Sequence, residues 1–488
     1  MKPSLKSVVA LLLLVSVSIV SAQGQPMLPD MGGTSTRVLP MEEEQTFARD
    51  FERYMRAHNL LVEDPMIRDY FEDMGFRLVA QSDRRDGSFH FFVIRESGIN
   101  AFASVAGVIG LHSGLILLAE DESEVAGVVA HEIAHVTQDH LARGVENQQQ
   151  VSLPAMLATV GLAIAASAAG SPDAGQAVLM SGLGLAQQLQ INHTRQAETE
   201  ADRIGLSLLG RGGYDPQGMT RFFERLNIVS RAMGKGPPEY LRTHPLTINR
   251  IAEARSRADQ VSQREAERDG SHFHFVQARL RVLMAEYNDQ SIRWFRTRLD
   301  NSERPAEAMR YGLALALIRD RQLEAAGREL DILLDSDPDR QIFRLLEAEW
   351  LLADGRQDDA LAILDTLHHQ FPGSRLVTTQ YAEALMHGDR PEHAAQASTI
   401  LRSYLRHFPN DLRMTELYAQ AANRSGEPVR AAEAIADSYY LRGGVKEAIE
   451  QLERVTERDD LDYYQRARIN SRLSELRSEQ VRLVSQSR

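Results

Sequence analysis

Several kinds of hydrophobic patterning succeed one another along the chain, and each predicts a different element. Val8 to Val20 is a near-continuous apolar run behind Lys2 and Lys6. Phe89 to Ile94 is aromatic and β-branched, and Val105 to Leu111 is apolar with two glycines, so both predict strands of a small sheet. The stretch from Glu124 to Ala130 is apolar and helical in character, and Ile133, Ala134 and Val136 continue it. Asp121, three residues before Glu124, suits the N-cap of that helix, whose apolar character predicts that it is mostly buried. Val151 to Gly170 and Gln176 to Gln190 are two more apolar stretches around the turn Ser171-Pro172-Asp173. As a hairpin they would pack on the core, lid a cleft, or touch a membrane face; spanning a bilayer needs about 20 apolar residues, and the second run ends in glutamines.

Beyond Ile251 to Arg268, helical and charged, Asp269-Gly270 marks a boundary, and the pattern becomes alanine-rich and periodic. Ala326 and Ala360 are 34 residues apart, as are Leu330 and Leu364, Leu333 and Leu367, and Pro338 and Pro372. That is the tetratricopeptide period. A third copy fits with a short insertion at Gly388, Ala394, Leu401 and Phe408-Pro409; looser copies follow around Gly426 with Ala432 and Gly443-Gly444 with Ala448. Small residues let paired helices approach closely, each proline ends a helix, and the resulting superhelix has a concave face suited to protein segments.

Composition changes this picture mainly through compartment. Residues 1–22 form a secretory signal, with cleavage expected after Ala22. The chain has no cysteine, which excludes a lipid-anchored cysteine, a disulfide and a thiol nucleophile. A periplasmic location is the expectation. Net charge is −13, or −15 once Lys2 and Lys6 are removed, so a nucleic-acid partner is not expected.

The candidate chemistry lies in His131-Glu132-Ile133-Ala134-His135. At about 100° per residue, the two imidazoles project from one helical face at a spacing that one Zn²⁺ can bridge, and Glu132 can reach the water that zinc acidifies. Two histidines and a glutamate inside a buried helix are costly unless something uses them. A third ligand is required. His140 falls about 140° around the helix from His135 and is expected to face away. Downstream, Arg195, Glu198 and Asp202 share one face, so Glu198 can bind the metal while Asp202 accepts the second N–H of a ligand histidine; Glu200 is a rival ligand on the flank.

His-Glu-Ile-Ala-His followed by Arg-x-x-Glu-x-x-Ala-Asp resembles the gluzincin family that contains HtpX and the CAAX prenyl endopeptidases. Asn100-Ala101-Phe102-Ala103 with Gly107 and Val108-Ile109 resembles that family's segment leading to an edge strand beside the cleft, and His244-Pro245 with Arg250 resembles its downstream element. The resemblance spans about residues 44 to 265 and implies that His131, His135 and Glu198 hold one zinc and that Glu132 is the base. His244 then has two open roles: donor to the oxyanion formed during attack, or occupant of the fourth coordination position that keeps the enzyme latent. An exposed edge near the zinc would accept extended substrate by strand addition; the alternative is that these strands are sheet interior.

The expected fold is mainly α: an α+β zincin-type metallopeptidase domain with a small β-sheet at residues 44–268, then an α-helical tetratricopeptide-repeat superhelix at 269–488. With the signal, this order of parts resembles the BepA group of periplasmic proteases. It implies a zinc endopeptidase acting on unfolded or stalled outer-membrane β-barrel proteins, with the repeats contacting substrates or the barrel assembly machinery. Two other classes are carried: a chaperone-like adaptor in which proteolysis is secondary, and an integral membrane protease, which needs residues 151–190 to span.

Overall fold

The computed structural model describes residues 41–83, 88–104, 106–141, 143, 195–232, 236–261, 270–299 and 305–486. The signal segment and the 151–190 hairpin lie outside the described residues.

Helix α1 (Met41–Ala57) is followed by α2 (Pro65–Val79), which Asp64 caps by accepting from the Ile67 N–H, with Pro65 in the first turn where a missing N–H costs nothing. Strands β1 (His90–Ile94), β2 (Ala101–Ala103) and β3 (Val108–His112) form a sheet in the order β1-β3-β2, with β1 parallel and β2 antiparallel to β3. The apolar segment expected from Val105 is thus the central strand, starting at Val108, and β2 and β1 are the edges. A single bridge at Leu61 partly covers β1, where Val62 N donates to Val93 O at 2.8 Å. On β2, His112 N donates to Asn100 O and Ser104 N to Val108 O. The even-numbered residues therefore exchange bonds with β3, and the backbone groups of Ala101 and Ala103 point outward. α1 covers one face of the sheet through Phe51, whose ring lies 6.3 Å from Phe92 and 6.2 Å from Phe102.

After α3 (Ser113–Leu118) comes α4 (Glu122–Thr137), which carries the histidine motif; Asp121 caps it as the sequence predicts, accepting from the Glu124 N–H at 3.0 Å. It lies against β2, β3 and α5 (Arg195–Arg211). Gly205 makes the last contact close: a Cβ there would meet the His131 backbone nitrogen at 3.1 Å, so a side chain would push α5 a few tenths of an ångström from the motif. Next are α6 (Gln217–Ala232), α7 (Glu239–Thr243) and α8 (Ile248–Ala258).

The second half is helical throughout its described residues: α9 (Ser271–Met284), α10 (Asn288–Leu299), α11 (Ala306–Arg319), α12 (Leu323–Ser336), α13 (Gln341–Ala353), α14 (Gln357–Gln370), α15 (Arg375–Leu385), α16 (Pro391–Leu405), α17 (Leu412–Arg424), α18 (Pro428–Leu441), α19 (Val445–Thr456) and α20 (Tyr463–Gln486). The periodic positions are core positions: Ala326, Leu330 and Leu333 on α12 and Ala360, Leu364 and Leu367 on α14 are all buried. Among the described residues no helix is long and apolar enough to cross a membrane.

The array shares a core with what precedes it. Ile67, Phe71, Val125 and Leu208 belong to the same apolar cluster as Phe273, Phe295, Tyr311 and Phe343. The Gln277 amide donates to Ile116 O and Ala119 O, and Arg279 pairs with Asp64 at 2.7 Å. Farther along, Arg375 on α15 pairs with Asp69 and Glu72 on α2. At the end, Glu479 and Arg482 on α20 pair with Arg53 and Asp50 on α1, each at 2.9 Å, and Arg53 also covers the Tyr440 ring at 3.8 Å.

That last contact gives a pH prediction. Burial raises the Glu479 carboxyl, but Arg482 and Arg53 outweigh it and push it down to about 2. A depressed carboxylate contributes stability above its unfolded value, about 4.3, and loses it as pH falls toward the folded one. Asp50, raised by burial, works in the opposite direction and offsets part of this. Glu479→Gln is expected to cost about 1 kcal/mol near neutral pH after solvent screening. Thermal unfolding of the two proteins should show a gap that closes as pH falls from about 4.5 toward 2; a gap that persists at low pH would assign Glu479 to packing alone.

Candidate metal centre

One turn of α4 separates His131 from His135, and their Nε2 atoms converge to 3.0 Å. α5 brings Glu198 between them, with Oε1 3.4 Å from His135 Nε2 and Oε2 3.6 Å from His131 Nε2. His244, where α7 ends, turns its ring into the same space: Nδ1 lies 3.1 Å from Glu198 Oε1 and 3.4 Å from His131 Nε2. One ligand atom from each of the four lies within 4.8 Å of the others, and the residues are 0 to 4% exposed. Imidazole nitrogens with one carboxylate suit a borderline-soft divalent ion.

Glu132 faces this space without joining the group. Its Oε1 lies 3.5 Å from His244 Nε2 and has no hydrogen-bond partner among the described residues. An orphaned buried carboxylate oxygen beside a ligand cluster fits a centre built to hold a metal and its water. Burial raises the Glu132 carboxyl, partly opposed by His244 and His131.

The surroundings favour positive charge at the centre. Burial would discharge His131, but Asp202 and Glu198 outweigh it and push its pKa up to about 10. Glu198 is held well below the usual carboxylate range, burial being overcome by His244 and by the rings that donate to it. Asp202 Oδ1 lies 3.0 Å from His131 Nδ1, the arrangement expected for an outer carboxylate orienting a ligand histidine.

Two features differ from the sequence reading. Arg195, expected on the face of Glu198 and Asp202, is exposed at the start of α5. The cation that meets these carboxylates is Arg250, which grips Asp202 through Nε at 2.7 Å and Nη2 at 2.8 Å, reaches Glu198 Oε2 at 2.8 Å, and donates to Pro245 O. Thr247 caps α8 by accepting from the Arg250 N–H, which sets the helix that carries it. His140 also does not face away. α4 stops at Thr137, Asp139 takes φ 50°, and the reversed chain brings His140 Nδ1 to 2.9 Å from His135 Nδ1. Helical geometry no longer applies past the cap, which is why extrapolation misplaced it. Glu200, the rival ligand, lies outside the cluster, 3.0 Å from His140 Nε2. Burial lowers the His140 pKa and so favours its neutral form.

Residues 67–258 match peptidase family M48. The chain is 32% identical over 480 residues to the β-barrel assembly-enhancing protease of Escherichia coli K12, covering 98% of this chain and 96% of that one. This chain belongs to peptidase family M48. Other M48 relatives include the β-barrel assembly-enhancing protease of Yersinia pestis, 34% identical over 456 residues, covering 93% of this chain and 92% of that protein. A more distant one is the mitochondrial metalloendopeptidase OMA1 of Schizosaccharomyces pombe, 31% identical over 175 residues, or 36% of this chain and 48% of that one. This M48 protein is a metalloprotease, and its clustered His131, His135 and Glu198 are a group of potential ligands for its metal ion.

Proposed function

We propose that the protein is a periplasmic zinc endopeptidase that cuts unfolded or stalled outer-membrane β-barrel proteins, with a peptidase domain at 44–268 and a substrate- or partner-binding repeat array at 269–488. The convergence of His131 Nε2, His135 Nε2 and the Glu198 carboxylate beside the orphaned Glu132 carries the activity. The names and coverage of the M48 relatives support the link to barrel proteins, and the signal pattern at residues 1–22 supports the compartment.

In this reading His131, His135 and Glu198 hold the ion, which supplies Lewis-acid polarisation of the scissile carbonyl and lowers the pKa of water. Glu132 takes the proton of the attacking water and passes it to the leaving nitrogen, and its burial-raised carboxyl suits both directions of transfer. Asp202 fixes His131, and Arg250 fixes Asp202. Ala101 is buried, so the partly exposed Ala103 end of β2 is where a substrate would be taken as an added strand, which binds backbone and tolerates many sequences.

His244 is a gate. Its Nδ1 already lies within 3.1 Å of Glu198 and 3.4 Å of His131, which favours occupancy of the fourth position over a waiting role. The test is cleavage of an unfolded outer-membrane barrel protein by the wild type and by His244→Ala, with a chelator as control. A centre closed in about nine molecules of ten gains up to about tenfold on opening. Cleavage abolished by the chelator and faster in the variant is the expected result. A slower variant assigns His244 to the transition state, and cleavage that ignores the chelator removes the metallopeptidase reading.

A further inference from the structure

Asp202 accounts for the outer nitrogen of His131, and a different arrangement serves His135. We propose that His140 and Glu200 form a positioning pair that fixes the tautomer and ring plane of His135 and thereby sets how tightly the centre holds its metal. This rests on reading His131, His135 and Glu198 as ligands.

The hydrogens follow from the distances. His135 Nε2 faces His131 Nε2 and Glu198, so as a ligand it must present a lone pair there, and its hydrogen sits on Nδ1. That hydrogen is donated to His140 Nδ1, 2.9 Å away. His140 Nδ1 is then an acceptor, its own hydrogen sits on Nε2, and this donates to Glu200 Oε2 at 3.0 Å. Every position in the sequence His135, His140, Glu200 has one direction only. The rings of His135 and His140 stand at 73° with centroids 4.9 Å apart, a geometry that holds the ligand plane edge-on. His140 is buried, so no water competes freely for the His135 hydrogen, while Glu200 is partly exposed and backed by Arg143 at 3.6 Å.

The placement is economical in sequence. Glu198, Glu200 and Asp202 lie at alternate positions of α5, so one helix delivers a ligand and both outer carboxylates. Asp202 meets its histidine directly. Glu200 is reached only because Asp139 reverses the chain and interposes His140. An imidazole between ligand and carboxylate makes His135 depend on a neutral acceptor, whereas His131 faces a charged one.

The experiment measures the Zn²⁺ dissociation constant of the full chain by competition with a chromophoric chelator, together with the thermal midpoint of the metal-free protein. His140→Leu removes the acceptor and fills similar space, and about 10- to 100-fold weaker binding is expected, with the metal-free midpoint unchanged. His140→Asn restores an acceptor oxygen and should recover most of the affinity. Glu200→Ala, on the exposed side of the pair, should weaken binding in the same direction by less, and it reads the proposal if His140→Leu does not fold. Wild-type affinity in His140→Leu (or in Glu200→Ala, where that variant stands in), an Asn variant no tighter than the Leu variant, or a metal-free midpoint that falls in step with affinity would each overturn the proposal. A wild type that binds no Zn²⁺ overturns the ligand assignment instead.

Discussion

Replacing Glu132 with Gln is expected to lower the cleavage rate by about two to four orders of magnitude while the protein keeps its metal. The substitution is nearly isosteric at a position that is 1% exposed and outside the ligand group, so neither packing nor metal content has reason to change. What disappears is the proton acceptor. A Gln amide cannot take a proton from water or return one to the leaving nitrogen, so the loss belongs in the catalytic rate constant more than in substrate binding. Single-turnover cleavage of an unfolded barrel protein, run beside metal analysis of the same sample, checks both halves. A rate within a few-fold of wild type would remove Glu132 from the mechanism. Introduced into cells, the same variant separates peptidase from adaptor: if it still supports envelope assembly without cutting, the repeats carry the main function.

The second large effect concerns Glu198. Glu198→Gln should reduce bound metal from about one ion per chain to nearly none, because the centre loses its only anionic ligand among the described residues and a neutral amide oxygen is a poor donor to a divalent ion. With His244 the three imidazoles still make a neutral set, which holds the ion more weakly than one that includes a carboxylate, so the loss is read under extensive dialysis. The protein should nonetheless fold. Breaking a buried ion pair outright costs about 3 to 5 kcal/mol, but Arg250 keeps both bonds to Asp202 when Glu198 is neutralised. Metal analysis after extensive dialysis, with circular dichroism as the folding control, decides it. A fully loaded Gln variant would show that another group holds the metal.

The sequence made the repeats legible because alanine and leucine recurring at 34 residues mark positions where helices touch, and Ala326, Ala360, Leu330 and Leu364 are buried as that spacing implies. The motif helix and its Asp121 cap were legible for a similar reason: both are local. What escaped depends on tertiary geometry. Arg250 meets Asp202 across 48 residues, and no spacing rule points to it. His140 escaped because a single left-handed residue, Asp139, turns the chain after the cap. β2 is three residues long, too short for an alternating pattern, so the edge of the sheet could not be told from its centre. The shared core was hidden as well, since Phe273 and Phe295 look no different in sequence whether they pack within the array or against the peptidase.

The brevity of β2 bears on how such an enzyme chooses where to cut. At about 3.4 Å per residue, its edge spans roughly 10 Å, and with Ala101 buried only the outward groups of Ala103 are left for a substrate. A grip that small has almost no affinity alone. A polypeptide already held by the array, however, presents its free portion at an effective concentration of about millimolar, and a contact too weak to form between separate molecules then forms within one. Cut sites would accordingly be set by reach, the length of slack chain between tether and centre, and the products should share a size more than a sequence.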